Sequence, residues 1–192
     1  MNQLFPIFVK LNQIHILLVG GGKVALEKFQ ALVSNDETLN LTIVAREITP
    51  GFEDLLQNYP QIQLHIRPFA PNDLTNKQLV IAATNNIELN DQLRSLTSKE
   101  HILFNAADKP DLCDFYLGSI VKKGNLKIAI STNGKSPTMA KRVKEFLNDL
   151  LPEEIDETLS LLSTYRDRLK GDFEFKVKKL NEHTKNILRH ER

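Results

Sequence analysis

The chain has 192 residues, 41% of them hydrophobic and 26% charged, with a formal net charge of +1. Such proportions exclude wholesale disorder, and the near-neutral total leaves any basic site a local feature, with no nucleic-acid footprint expected. A single cysteine, Cys113, excludes a disulfide framework and a cysteine-rich metal site.

The opening stretch, MNQLFPIFVKLNQIH, has no basic run before its apolar residues and no small-residue cleavage site. No apolar run approaches the ~20 residues of a membrane span, so a soluble cytoplasmic protein without a membrane partner is expected. Residues 14–19, IHILLV, predict a buried strand that ends on Gly20, Gly21 and Gly22. Val24, Leu26, Phe29 and Leu32 then recur at helical spacing, and LNLTIVA (39–45) predicts a second strand. These pieces make a β-turn-α-β unit of about 30 residues, the context in which G-x-G-x-x-A (20–25) carries meaning.

The alternation continues. FEDLLQNY predicts a helix over 52–59, IQLHIR a strand over 62–67, DLTN a helical turn, and KQLVIAAT a buried strand over 77–84. NIELNDQLRSLTSKE predicts a helix over 86–100 and HILFNAA a strand over 101–107. Strands alternating with helices imply an α/β fold with a Rossmann-type, doubly wound parallel sheet over residues 1–112. From 113 to 151 the texture changes to a small α+β region. Two strands there meet at Lys122-Lys123-Gly124-Asn125, and a helix begins at Ser136-Pro137 and stops before Pro152. Residues 152–192 predict a helical, charged tail of two helices broken near Gly171, with Leu159, Leu162, Tyr165 and Leu169 on one face.

The chemistry concentrates at predicted strand ends. Gly20 permits a tight turn, Gly22 a close approach of backbone to a pyrophosphate, and Ala25 close helix–strand packing, with the next helix aiming its N–H groups at the phosphates. After the second strand, Arg46 suits a 2′-phosphate and Glu47 a ribose, and two solvated loop charges is the alternative reading. Thr84 offers a hydroxyl at the next strand end, although Thr84-Asn85 also suits a helix cap. Asp108, closing Asn105-Ala106-Ala107-Asp108, is placed for proton transfer, yet an aspartate before Lys109-Pro110 also suits a turn. Ser131, Thr132, Asn133 and Gly134, followed by Lys135, Lys141 and Arg142, suit an anionic, carboxylate-bearing ligand, or else form a capped and solvated helix start. The five histidines show no metal-ligand spacing, so no metal site is expected.

In order along the chain, LFPIFVKL, VGGGKVALEK, AATN, NAAD and ISTNGKSPTMAKRVKEFL resemble precorrin-2 dehydrogenases, which occur alone and as the amino-terminal module of siroheme synthases. The resemblance implies NAD-dependent oxidation of precorrin-2 to sirohydrochlorin, with Fe²⁺ insertion in some members, and a homodimer, with residues 113–151 as the dimerisation and substrate region. A non-enzymatic NAD(H)-sensing module is the rival reading, but it leaves NAAD and STNGKSP without a purpose. Carried over residue by residue, the resemblance makes Asp108 the catalytic aspartate. It makes Lys23, Val24, Arg46 and Glu47 contacts to NAD, adding to Gly20, Gly21, Gly22, Thr84 and Asn85. Asn105 and the 131–135 loop with Lys141 and Arg142 are then expected beside the carboxylate-rich tetrapyrrole. Thr132 stands where some relatives carry a phosphorylated serine, and Glu27 where relatives often have arginine. The methyltransferase fused to this module in siroheme synthases is not expected here.

Overall fold

The computed structural model describes residues 3–107 and 109–185. The chain forms two compact units, Met1–Leu117 and Gly118–Arg192.

In the first unit, five strands form one parallel sheet: β1 (His15–Val19), β2 (Asn40–Ala45), β3 (Gln63–Ile66), β4 (Leu79–Ala82) and β5 (Leu103–Ala106). Their spatial order is β3-β2-β1-β4-β5. The chain winds outward from β1 through β2 and β3, then returns to β1's other side. That reversal leaves a crevice at the carboxyl ends of β1 and β4.

Why β1 is apolar from Ile16 to Val19 follows from its central place. Ile16 and Leu18 enter one core with Ala25, Phe29 and Phe52, whereas Leu17 and Val19 enter the opposite one with Val80, Leu93 and Phe104. Helices therefore cover both faces: α1 (Lys23–Asn35) and α2 (Pro50–Leu56) supply the first core, and α3 (Ile87–Lys99) the second. The Phe29 ring is fully buried, 5.1 Å from Phe52 and 5.6 Å edge-on to Tyr59. Truncating such a ring to alanine costs about 3–5 kcal/mol.

Two boundaries differ from expectation. Helix α2 starts at Pro50 and ends at Leu56, not over 52–59, because proline fits the first helical position, where its missing N–H is not needed. Helix α3 is capped by Asn86, whose side chain accepts the Leu89 N–H at 2.9 Å, and not by Thr84-Asn85. Residues 113–117 belong with the first unit, where the Asp114 N–H donates to the Phe104 carbonyl at 2.8 Å.

In the second unit, β6 (Ser119–Lys123) and β7 (Leu126–Ile130) pair antiparallel through the two-residue turn Gly124-Asn125, with Gly124 at φ +55°. Asp156 accepts the Asn125 backbone N–H at 2.7 Å and its side-chain amide at 2.8 Å, and Lys123 pairs with Glu153. These bonds tie the hairpin tip to the start of α5 (Ile155–Arg168). Helix α4 (Pro137–Leu150) packs on both strands. After Gly171 (φ +136°), α6 (Phe173–Thr184) follows. It meets α5 where the Tyr165 hydroxyl lies 2.9 Å from His183 Nε2 and the two rings stack edge-on. Two helices broken near Gly171 are what the charged tail predicts. Among the described residues no helix is long and apolar enough to cross a membrane.

Candidate dinucleotide and active site

The crevice is built by the glycine turn after β1. Gly20 sits at φ +125°, and a Cβ there would strike the carbonyl oxygen of Ala83 at the end of β4. Its N–H donates to the Val44 carbonyl at 2.9 Å, while the Ala83 N–H donates to the Val19 carbonyl at 2.8 Å. The turn is thus wedged between β2 and β4, where only glycine combines the conformation with the space. Gly21 is buried against the loop after β2: a Cβ would strike the Glu47 carbonyl and press on Ile48 and Ala45, and the Gly21 carbonyl accepts the Thr49 N–H at 2.9 Å. Its role is therefore packing, which the G-x-G-x-x-A spacing does not reveal.

Gly22 is different. It is exposed, and a Cβ there would meet no protein atom within 4 Å. It stands at the N-cap of α1, which no side chain caps, so the helix keeps its first N–H groups for an anion. Ala25, fully buried on the inner face of α1, lets the helix close on the sheet. A cradle open only at Gly22, with an uncapped helix behind it, fits a dinucleotide pyrophosphate.

Lys23 and Val24 begin α1, Lys23 exposed and Val24 packed on the first core. Arg46 and Glu47 are exposed immediately after β2, beside the turn through the Glu47 carbonyl. Thr84 follows β4 through Ala83, and its hydroxyl donates to Asn90 Oδ1 at 2.8 Å and accepts the Asn86 N–H at 3.2 Å. It serves the entry to α3, and Asn90, 2% exposed, is the buried partner that sequence reading missed. Asn85 lies exposed in the same loop. These residues gather along the carboxyl edge of β1, β2 and β4.

Asn105 is buried in β5 and donates to the Phe115 carbonyl at 2.8 Å. Asp108 lies outside the described residues. The remaining candidates stand in the second unit. Ser131 Oγ accepts the Asn133 N–H at 3.2 Å; Thr132 Oγ1 accepts the Ser136 N–H at 3.2 Å and donates to its carbonyl at 3.1 Å. Asn133 and Gly134 take left-handed conformations (φ +55° and +74°) that turn the chain into α4, where Ser136 Oγ accepts the Met139 N–H at 3.1 Å. Lys135 and Lys141 are exposed, whereas Arg142 pairs with Glu145 at 2.8 Å. No group of three or more metal-ligating side chains occurs among the described residues.

A family model described as "Putative NAD(P)-binding" matches residues 7–119. The chain belongs to that family. A second model, "Sirohaem biosynthesis protein central", matches residues 123–150. Among curated relatives, siroheme synthase 3 of Aeromonas hydrophila is 36% identical over 88% of this chain and 35% of its own length. The siroheme synthase of Vesicomyosocius okutanii is 35% identical over 90% of this chain and 36% of its own length. The chain thus spans about a third of the siroheme synthases it matches. A solved structure, SirC, a precorrin-2 dehydrogenase, is similar with a TM-score of 0.75 and 25% identity, over 93% of this chain and 88% of that one. These findings agree with the resemblance and the Rossmann-type fold read from the sequence.

Proposed function

We propose that this protein oxidises precorrin-2 to sirohydrochlorin with NAD⁺. One observation carries the reading: the likeness to a precorrin-2 dehydrogenase runs through both units, and in this chain it coincides with a glycine turn open only at Gly22. Lys23 and Val24, with the N–H groups of α1, hold the pyrophosphate side of the dinucleotide, and Arg46 and Glu47 its ribose side. Bound NAD⁺ supplies the hydride acceptor. Asp108 takes the proton lost alongside the hydride. Lys135, Lys141, Arg142 and the 131–134 loop receive the tetrapyrrole carboxylates.

Replacing Asp108 with alanine is expected to abolish NADH formation from precorrin-2 and to leave NAD⁺ binding intact by calorimetric titration. Near-normal turnover in that variant would sink the assignment. The same preparation, given sirohydrochlorin and Fe²⁺ against a no-enzyme control, tests iron insertion. We infer as well a cytoplasmic homodimer joined through the second unit. Support for the dimer lies on α4, where Met139, Phe146 and Leu150 form an exposed apolar stripe.

A further inference from the structure

Residues 113–115 run beside β5, where a sixth strand would otherwise stand. Leu103 and Ala107 donate toward β4, to the Gln78 carbonyl at 3.1 Å and the Ala82 carbonyl at 2.9 Å. In a parallel strand the intervening residues, Phe104 and Ala106, face the open edge. Side chains meet both. The Phe104 N–H donates to Asp114 Oδ2 at 3.0 Å, and the Ala106 N–H donates to Cys113 Sγ at 3.3 Å. Arg94 holds the same Asp114 carboxylate oxygen at 2.6 Å.

Cys113 does more than cap an edge. Its sulfur also lies 3.3 Å from the Ala106 carbonyl and 3.2 Å from the Lys109 carbonyl, to which the S–H donates. The Asn105 side-chain amide reaches the sulfur at 3.4 Å from the strand side. A single thiol therefore touches the backbone on both sides of position 108. Burial pushes the thiol's pKa up, so it stays a neutral S–H at pH 7, able to donate to one carbonyl while accepting from Ala106. A thiolate would lose the donor, and an aliphatic side chain would lose both.

We propose that Cys113 is a positioning residue for the oxidation, tying together Ala106 and Lys109, the described residues that flank Asp108 in the sequence. The proposal rests on Asp108 being the proton acceptor. Proton transfer requires the accepting oxygen within hydrogen-bond reach of the leaving proton, and a misplacement of about 1 Å costs on the order of 100-fold in rate. Among the described residues, the same stretch is also held by the 3.3 Å bond from the Lys109 N–H to the Ala106 carbonyl, by the Ala107 N–H on the Ala82 carbonyl, and by the bonds closing the Pro110–Leu112 helical turn.

The test compares Cys113→Ala, Cys113→Ser and Asp108→Asn in the full chain. It measures kcat and KM for precorrin-2, the NAD⁺ dissociation constant by calorimetry, and the thermal midpoint. Cys113→Ala is expected to lower kcat by about 10- to 100-fold, with KM and NAD⁺ affinity near wild type. Cys113→Ser, which keeps a donor and an acceptor on a shorter bond, is expected to recover part of that loss. Should Cys113→Ala not fold, a reduced kcat at unchanged KM in Cys113→Ser carries the same meaning. A wild-type kcat in the folded cysteine variant beside an inactive Asp108→Asn overturns the role of Cys113. Near-normal turnover in Asp108→Asn overturns the assignment of Asp108 beneath it.

Discussion

At the scale of single residues, the three glycines of the turn separate cleanly by what a methyl group would meet. Gly20→Ala is forced into a positive φ against the Ala83 carbonyl, and such strain costs about 1–3 kcal/mol, so the variant should unfold at lower temperature with or without nucleotide. Gly22→Ala has an ordinary backbone (φ −84°) and open space, so its thermal midpoint should barely move. Its NAD⁺ dissociation constant should rise at least about tenfold, or ~1.4 kcal/mol, because the methyl occupies the ground left for the pyrophosphate. Calorimetric titration and melting of the two variants read these opposite outcomes directly. The G-x-G-x-x-A spacing made this distinction legible for Gly20 and Gly22. The place of Gly21 was not, because its neighbours come from β2, some 25 residues away in the chain. The same holds for Thr84: its residue type suited a ligand and a cap equally, and only the folded position of Asn90 decided where its hydroxyl goes.

At the scale of elements, the buried strands read well because each is apolar on both faces, as a central parallel strand must be. Helix ends read less well, since Pro50 and Asn86 act through local geometry that periodicity does not carry. The clasp on β5 was illegible for a stronger reason. It replaces a strand ladder by two side chains, and no hydrophobic pattern announces that. The hairpin tip makes a similar substitution, and it titrates. Asn125 bonds through its backbone N–H and its side chain hold the Asp156 carboxyl below its usual value of 3.8. Arg67, 2.5 Å from Asp73, does the same there, aided by the Ala70 N–H. Both carboxyls therefore bind protons more weakly folded than unfolded. Their contribution to stability is whole above the ordinary carboxylate value and is lost as pH falls below it, through each carboxyl's lowered folded value. Denaturant midpoints taken from pH 7 down to pH 3 should fall for the wild type. Asp156→Asn should start lower at pH 7 and lose less on acidification. Parallel curves for the two proteins would show that this carboxylate does not report on folding.

At the scale of the molecule, the chain divides into a dinucleotide unit and a smaller unit of hairpin and helices, and the second carries apolar surface that its own fold leaves uncovered. Helix α4 turns Ala140 inward, buried, while Met139, Phe146 and Leu150 are 57%, 62% and 42% exposed. Spacings of seven and four residues place these three on one stripe, and exposed apolar stripes mark contact surfaces. A second copy of the chain is the occupant we infer, because a two-fold contact sets the same stripe against itself. Phe146→Glu then brings two carboxylates into one apolar seam, whereas glutamate on an exposed helical position leaves helix propensity intact. Sedimentation equilibrium at micromolar concentration should find the wild type a dimer and Phe146→Glu a monomer of unchanged circular dichroism. Because the nucleotide cradle lies wholly within the first unit, the monomer should bind NAD⁺ as tightly as the dimer. A monomeric wild type, or a Phe146→Glu variant that still sediments as a dimer, would remove α4 as the seam.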